Sequence, residues 1–222
     1  MGREMGRTLA TAMTIPKTIT LLAITCMAVI TACSKAEQPY SLLDDDTVLR
    51  PGDLLFRRGT AMTSHAVAMA DKNGAFSHVG IVADSSGVMV VIHAVPDEPD
   101  YEGDPDRVKM EEVHDFFSTE RATYGEICRP SDSVTAVKAS QAAMAIYRQR
   151  PLFDHQYNSE DTTQMYCTEL VMEAYKRAGC TLTGPPTHSY TFLGIHCMVW
   201  LPSDLYKSPY IQCIKVLKPK KQ

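Results

Sequence analysis

Three residues have the types that thiol chemistry requires: Cys167, His78 and His93. Cys167 stands three and four residues before Leu170 and Val171. It falls in a stretch, Met165 to Ala178, whose apolar residues recur at helical spacing and which Gly179 is placed to end. A thiol at a helix start feels the positive end of the helix dipole, which favours thiolate over thiol. The same position also suits a buried structural cysteine. His78 lies in Phe76-Ser77-His78-Val79-Gly80-Ile81-Val82 and His93 in Val91-Ile92-His93-Ala94, two imidazoles in otherwise apolar runs. Burying an imidazole demands a hydrogen-bond partner. If the intervening loop has an even number of residues centred on Ser85-Ser86, the two histidines stand directly opposite, with Cβ atoms about 4.5–5.5 Å apart. An odd loop or a bulge would break that register. Such a pair is either a satisfied core pair or a base with its orienting partner.

The elements that must hold these residues form a strand-rich half and then a helical half. Pro51-Gly52-Asp53 is a turn signal, and Leu54-Leu55-Phe56 starts a strand. Thr63 to Ala70 reads as a short helix. Phe76 to Ala83 and Val88 to Val95 are β-rich runs joined by Asp84-Ser85-Ser86-Gly87, a hairpin signature. Both runs are apolar at nearly every position, so both faces should be covered. Pro96 to Asp106 is an acidic, Pro- and Gly-containing loop. Val113 to Phe117 reads as a helical turn, Tyr124 to Cys128 as a strand, Val134 to Arg148 as a helix and Tyr210 to Leu217 as a closing strand. Lys218 to Gln222 is a basic tail. No repeat and no second domain is visible, so residues 47–222 are expected to form one domain.

The 222 residues are 45% hydrophobic and 22% charged, values of a folded globular chain. Net charge is −4, with no basic excess to suggest nucleic acid. Three of the 22 basic and one of the 26 acidic residues lie in 1–32, so the remainder carries −6. Arg3, Arg7 and Lys17 precede an apolar stretch from Ile19 to Ile30, too short for a comfortable membrane span. Residues 1–32 therefore read as a signal peptide, and Met13 to Cys33 alone has its proportions. The stretch ends Ile30-Thr31-Ala32-Cys33, which resembles a bacterial lipobox. The resemblance implies cleavage before Cys33, lipid on its thiol and new amino terminus, and, with Ser34 next, an outer-membrane location facing the periplasm. Two or three acyl chains anchor firmly. Residues 33–46 then read as a polar tether.

Gly52-Asp53-Leu54, Ser77-His78-Val79-Gly80-Ile81 and Ile92-His93-Ala94 together resemble the NlpC-type cell-wall peptidases, which use a Cys-His-His triad. In those enzymes the cysteine helix precedes the Gly-Asp-Leu strand. Here Tyr166-Cys167-Thr168-Glu169-Leu170-Val171 follows it, an order that resembles the circularly permuted YiiX/YebB-like papain-fold lipoproteins and amidases. Leu201-Pro202-Ser203-Asp204-Leu205 and Ser208-Pro209 are similar to that branch too, so the resemblance runs from Arg50 to Leu217. Many permuted members carry Glu where His93 stands. The resemblance implies an α+β, papain-like fold with an antiparallel sheet packed on helices. It also implies a cysteine amidase or peptidase acting on cell-wall peptides or N-acyl amino compounds. In that chemistry Cys167 attacks a carbonyl carbon and forms a thioester. His78 takes the thiol proton and returns it to the leaving amine, and His93 orients His78. The Cys167 N–H and Tyr166 are the oxyanion candidates.

Rival readings are a thiol acyltransferase or lipid deacylase, as in the lecithin retinol acyltransferase type, which a strongly apolar pocket would favour, and a non-catalytic ligand-binding lipoprotein. A zinc site from His78, His93 and Cys167 lacks the close-spaced ligand pair of zinc motifs, and neither metal nor cofactor is expected. Asp53 reads as a turn residue. Ser64 and His65 are candidates for the cleft wall. Glu98 lies off the strand register in the acidic loop, and His114, His155, His188 and His196 show no partner pattern. Cys128, Cys180, Cys197 and Cys213 are left for pairing that spacing alone does not assign.

Overall fold

The computed structural model describes residues 38–71, 74–158, 161, 163–192 and 195–220. The signal segment and Cys33 lie outside the described residues. In chain order the first elements are β1 (Leu54–Gly59), α1 (Met62–Ala70), β2 (His78–Ser85), β3 (Val88–Val95), β4 (Arg107–Glu112), α2 (Val113–Phe116), β5 (Ala122–Pro130) and α3 (Ser133–Gln149). There follow β6 (Leu152–Phe153), β7 (Gln164–Met165), α4 (Cys167–Arg177), β8 (His188–Phe192), β9 (Ile195–Val199), α5 (Pro202–Tyr206) and β10 (Ile211–Leu217). One sheet runs β10-β5-β1-β2-β3-β4-β6-β7, antiparallel except for the β6–β7 pair, and β8–β9 form a separate hairpin. The class is α+β, as the sequence implies.

Both faces of the central strands are covered, which is why β2 and β3 read as unbroken apolar runs. On one face α3 and α4 pack on each other and on β2 and β3, burying Phe56, Ile81 and Ile92 against Leu170, Val171 and Ala174. On the other face Leu55, Val82 and Val91 lie under Phe116, Phe117, Leu42 and Leu43. Leu42 and Leu43 correct the expected tether. The Leu42 N–H donates to the Phe117 carbonyl at 2.9 Å, and Ser41 bridges to Ser118. Covering the second face removes these leucines from water, so the segment docks rather than dangles.

The hairpin also differs from expectation. Ile81 pairs with Ile92 and Ser85 with Val88, so the loop is only Ser86-Gly87, with φ of 58° and 90°. Two residues at positive φ make the tight turn whose twist matches antiparallel strands. The register is thus displaced by two, and His93 stands beside Gly80 instead of His78. A displacement of two leaves every side chain on its own face, whereas one would have turned them all over. The sequence alone does not assign β4, β6, β7, β8, β9 or α5. At the C-terminus of α4, Gly179 adopts φ +86°, as its placement suggested.

Candidate active site

Cys167 is the first residue of α4 and is half-buried. The helix start is pinned through Trp200: Thr168 Oγ1 donates to its carbonyl at 2.8 Å, and its N–H donates to Tyr166 Oη at 3.2 Å. Further along, Tyr175 Oη donates to the Gly52 carbonyl at 2.9 Å. Gly52 is required there. It sits at φ +89°, and a Cβ would lie 2.4 Å from the Ala136 carbonyl oxygen. Burial pushes the Cys167 thiol up to about 11, outweighing the backbone amides of Val79, Thr168 and Cys167 and the charge of Arg57. This corrects the expectation of a resting thiolate: desolvation overrides the helix dipole.

His78 Nε2 and His93 Nδ1 are 2.8 Å apart, with ring centroids 5.1 Å apart and planes at 71°. Both rings pack on Phe116, at 5.6 and 5.2 Å. The contact is diagonal across β2 and β3, and Gly80 makes room for it. A Cβ at Gly80 would meet Val91 Cγ2 at 2.5 Å and His93 Cβ at 3.3 Å. With Nε2 committed to His93, Nδ1 is the His78 nitrogen left for proton exchange. Burial, then the charges of Arg57 and His93, hold the His78 imidazole well below its ordinary range. The resting pair is therefore a thiol and a neutral imidazole.

His78, Cys167 and Tyr166 line one cavity of about 50 Å³, walled largely by apolar side chains including Val67, Phe153 and Trp200. It adjoins a cleft of about 770 Å³ that shares Val67 and Phe153 and carries Asp97, His155, His188 and Lys207. Ser64 lines the inner cavity, but His65 lines neither. His155 and His188 do have carboxylate partners, Asp106 at 3.2 Å and Asp204 at 3.1 Å. Asp53 holds its turn, accepting from the Arg50 N–H at 2.8 Å and from Arg129.

A buried layer of charge lies on the histidine face, and the sequence reading missed most of it. Arg57 is 2% exposed; it donates to Glu98 and to the Phe116 carbonyl and stacks on the Phe116 ring at 4.5 Å. Glu111 Oε1 is 3.0 Å from His93 Nε2, and Arg121 donates to Glu111 Oε2. Lys109 Nζ reaches the Glu98 carbonyl at 2.9 Å and Asp100 at 2.8 Å. Alternating polarity in Arg107-Val108-Lys109-Met110-Glu111-Glu112 was the available signal for β4.

Cys128, Cys180, Cys197 and Cys213 are free thiols. Cys128 and Cys213 are Cα partners across β5 and β10, and with Glu126 they offer ligand atoms within 4.8 Å of one another. The Glu126 carboxylate accepts from the hydroxyls of Tyr124 and Tyr206. That cluster is a satisfied polar network, and none of its residues lines the Cys167 cavity.

Residues 48–215 match the family described as permuted papain-like amidase enzyme, YaeF/YiiX, C92 family. The chain is similar in fold to a crystal structure of metalloprotein yiiX from Escherichia coli O157:H7, with a TM-score of 0.59 and 15% identity, covering 77% of this chain and 98% of that one. No curated protein matches.

Proposed function

We propose that this chain, which belongs to the permuted papain-like amidase family of the YaeF/YiiX type, cleaves amide bonds with Cys167 as nucleophile, His78 as proton carrier and His93 as its orienter. The observation that carries the reading is the 2.8 Å contact between His78 and His93 at the wall of the cavity that Cys167 lines. As the sulfur attacks the carbonyl carbon, its proton passes to His78 Nδ1, and a C–S bond replaces the carbonyl π bond. The buried imidazolium, with Arg57 nearby, is a strong acid and returns the proton to the leaving amine. A water then displaces the sulfur from the thioester by the same route. The Cys167 N–H, at a helix start where amides lack intrahelical acceptors, is the first oxyanion donor and the Tyr166 hydroxyl the second.

The apolar wall around Cys167 supports an amide with an apolar group beside the scissile carbonyl, with the polar remainder in the larger cleft. The same wall favours a second reading, a thiol acyltransferase, in which an amine or alcohol rather than water takes the acyl group. The yiiX protein is described as a metalloprotein, but no ion fits between the two imidazoles here. His78 Nε2 and His93 Nδ1 face one another at 2.8 Å, leaving no room for an ion between them at about 2.0–2.1 Å from each. With Cys33 acylated, the enzyme would work at the cell envelope. The test is a panel of muropeptides and N-acyl amino acids. Cys167→Ala and His78→Ala should each abolish product, and thioester trapping should place the acyl group on Cys167. Full turnover by Cys167→Ala would refute the proposal.

A further inference from the structure

Sheet geometry puts a carboxylate behind the histidine pair. His93 and Lys109 are Cα partners across β3 and β4, and Glu111 lies two residues on, on the same face. His93 has no exposed surface, and each of its nitrogens faces a neighbour: Nδ1 lies 2.8 Å from His78 Nε2 and Nε2 lies 3.0 Å from Glu111 Oε1. The N–H direction of His93 misses Glu111, so neither atom has a hydrogen-bond partner among the described residues, and the 3.0 Å contact acts through charge. We infer that Glu111 is a positioning residue, whose carboxylate fixes the tautomer of His93 and through it that of His78.

The inference rests on the amidase reading for its functional meaning, but its chemistry stands alone. An ionised carboxylate only accepts. A carboxylate charge 3.0 Å from Nε2 stabilises a proton on that nitrogen of His93 rather than on Nδ1. A neutral His93 so protonated has a bare Nδ1 and accepts from His78 Nε2–H. That leaves His78 with a bare Nδ1, the form needed to take a proton from the thiol. Glu111 is ionised: burial works to raise its pKa, but the charges of Arg121 and Arg57, joined by that of His93 when it is protonated, hold it below the ordinary carboxylate range. The charged groups facing the pair are Arg57 from β1, Lys109 and Glu111 from β4, and Glu98 and Arg121 from the loops. Among the described residues no hydrogen bond or ion pair joins Glu98 to either imidazole. It is taken up by Arg57 and Arg121, so it neutralises charge while Glu111 directs protons.

The experiment is 15N NMR of histidine-labelled full-length protein, alone and as Glu111→Gln, beside amide turnover across pH. In the wild type both His78 and His93 should carry the proton on Nε2. In Glu111→Gln, whose amide can donate as well as accept, His93 should shift toward Nδ1–H. Turnover should fall by about 10²–10⁴, by analogy with triad orienters, with an altered pH profile. A wild-type His93 protonated on Nδ1 overturns the inference whatever the variant does. So does a folded Glu111→Gln with both tautomers retained and turnover within about twofold of wild type. If the tautomers behave as stated but the wild type cleaves no amide, the amidase reading falls and this one stands.

Discussion

Gly80→Ala is the sharpest probe of how the sheet builds the site. The added Cβ would lie 2.5 Å from Val91 Cγ2 and 3.3 Å from His93 Cβ. Val91 is fully buried and β-branched, so its χ1 has little freedom to retreat. Relief must come from an off-rotamer valine or from β2 and β3 moving apart by a few tenths of an ångström. Overpacking of this kind costs about 1–3 kcal/mol. The stiffer unfolded chain returns about 0.4–1 kcal/mol, leaving a net loss of roughly 1–2 kcal/mol. The same movement displaces His93 from His78. Weakening a hydrogen bond with a net value of about 1 kcal/mol should lower turnover roughly fivefold to tenfold. Urea unfolding and amide turnover of Gly80→Ala, Val91→Ala and the double variant form the assay. Val91→Ala removes the clashing methyl, so the double variant should be no less stable than Val91→Ala alone and should regain turnover. Strictly additive losses would refute the close-approach argument.

Four further outcomes are expected. The folded Glu111 carboxyl sits near 2 against an ordinary 4.5, so it contributes about 3 kcal/mol above pH 4.5 that is lost as pH falls from 4.5 to 2; Glu111→Gln should flatten that limb of the stability curve, and parallel curves would contradict it. Because burial lifts Cys167 to about 11, iodoacetamide labelling should climb about tenfold per pH unit from 7 to 10; a plateau already present at pH 6 would restore the thiolate. His93→Glu sets a carboxylate against Glu111, so it should lose turnover alone and recover part of it when combined with Glu111→Gln; full turnover by the single change would show Glu111 is not in contact. In a lipoprotein-processing host the wild type should partition into detergent and Cys33→Ser should not; a mature terminus at any other residue would defeat the anchor.

The site was legible in pieces. Helical spacing before Gly179 located the start of α4 to within two residues, because amphipathic period and a terminating glycine are local signals. The histidine pair was found from a wrong register that happened to share parity with the right one. Ser86 at positive φ hides the tight turn, since serine is a common loop residue and only its neighbour Gly87 advertises the conformation. Glu111 was not legible at all. Its meaning depends on which strand lies beside β3, and strand order is a non-local property. The direction of the Cys167 shift was misjudged for a similar reason: the dipole is written in the helix, but the desolvation comes from distant chain, Phe153 and Trp200 among it. Leu42 and Leu43 looked like part of a tether because the face they cover is assembled from the other end of the domain.

The bonds that pin the nucleophile helix have a consequence for biogenesis. The histidine–carboxylate relay is complete once the chain has reached Arg121, but the helix start is fastened to Trp200, and β10 supplies the edge strand beside β5. Contacts of such long sequence separation incur loop-closure entropy before they reward it, and so form late. Until then the start of α4 lacks its two bonds to Trp200, although the body of the helix packs on α3 and holds Gly52 through Tyr175. A chain cut short of Trp200 would hold the histidine pair and Glu111 without the bonds that fix the start of the Cys167 helix. On the proposed reading, the permuted order would delay activity until the last fifth of the polypeptide has arrived.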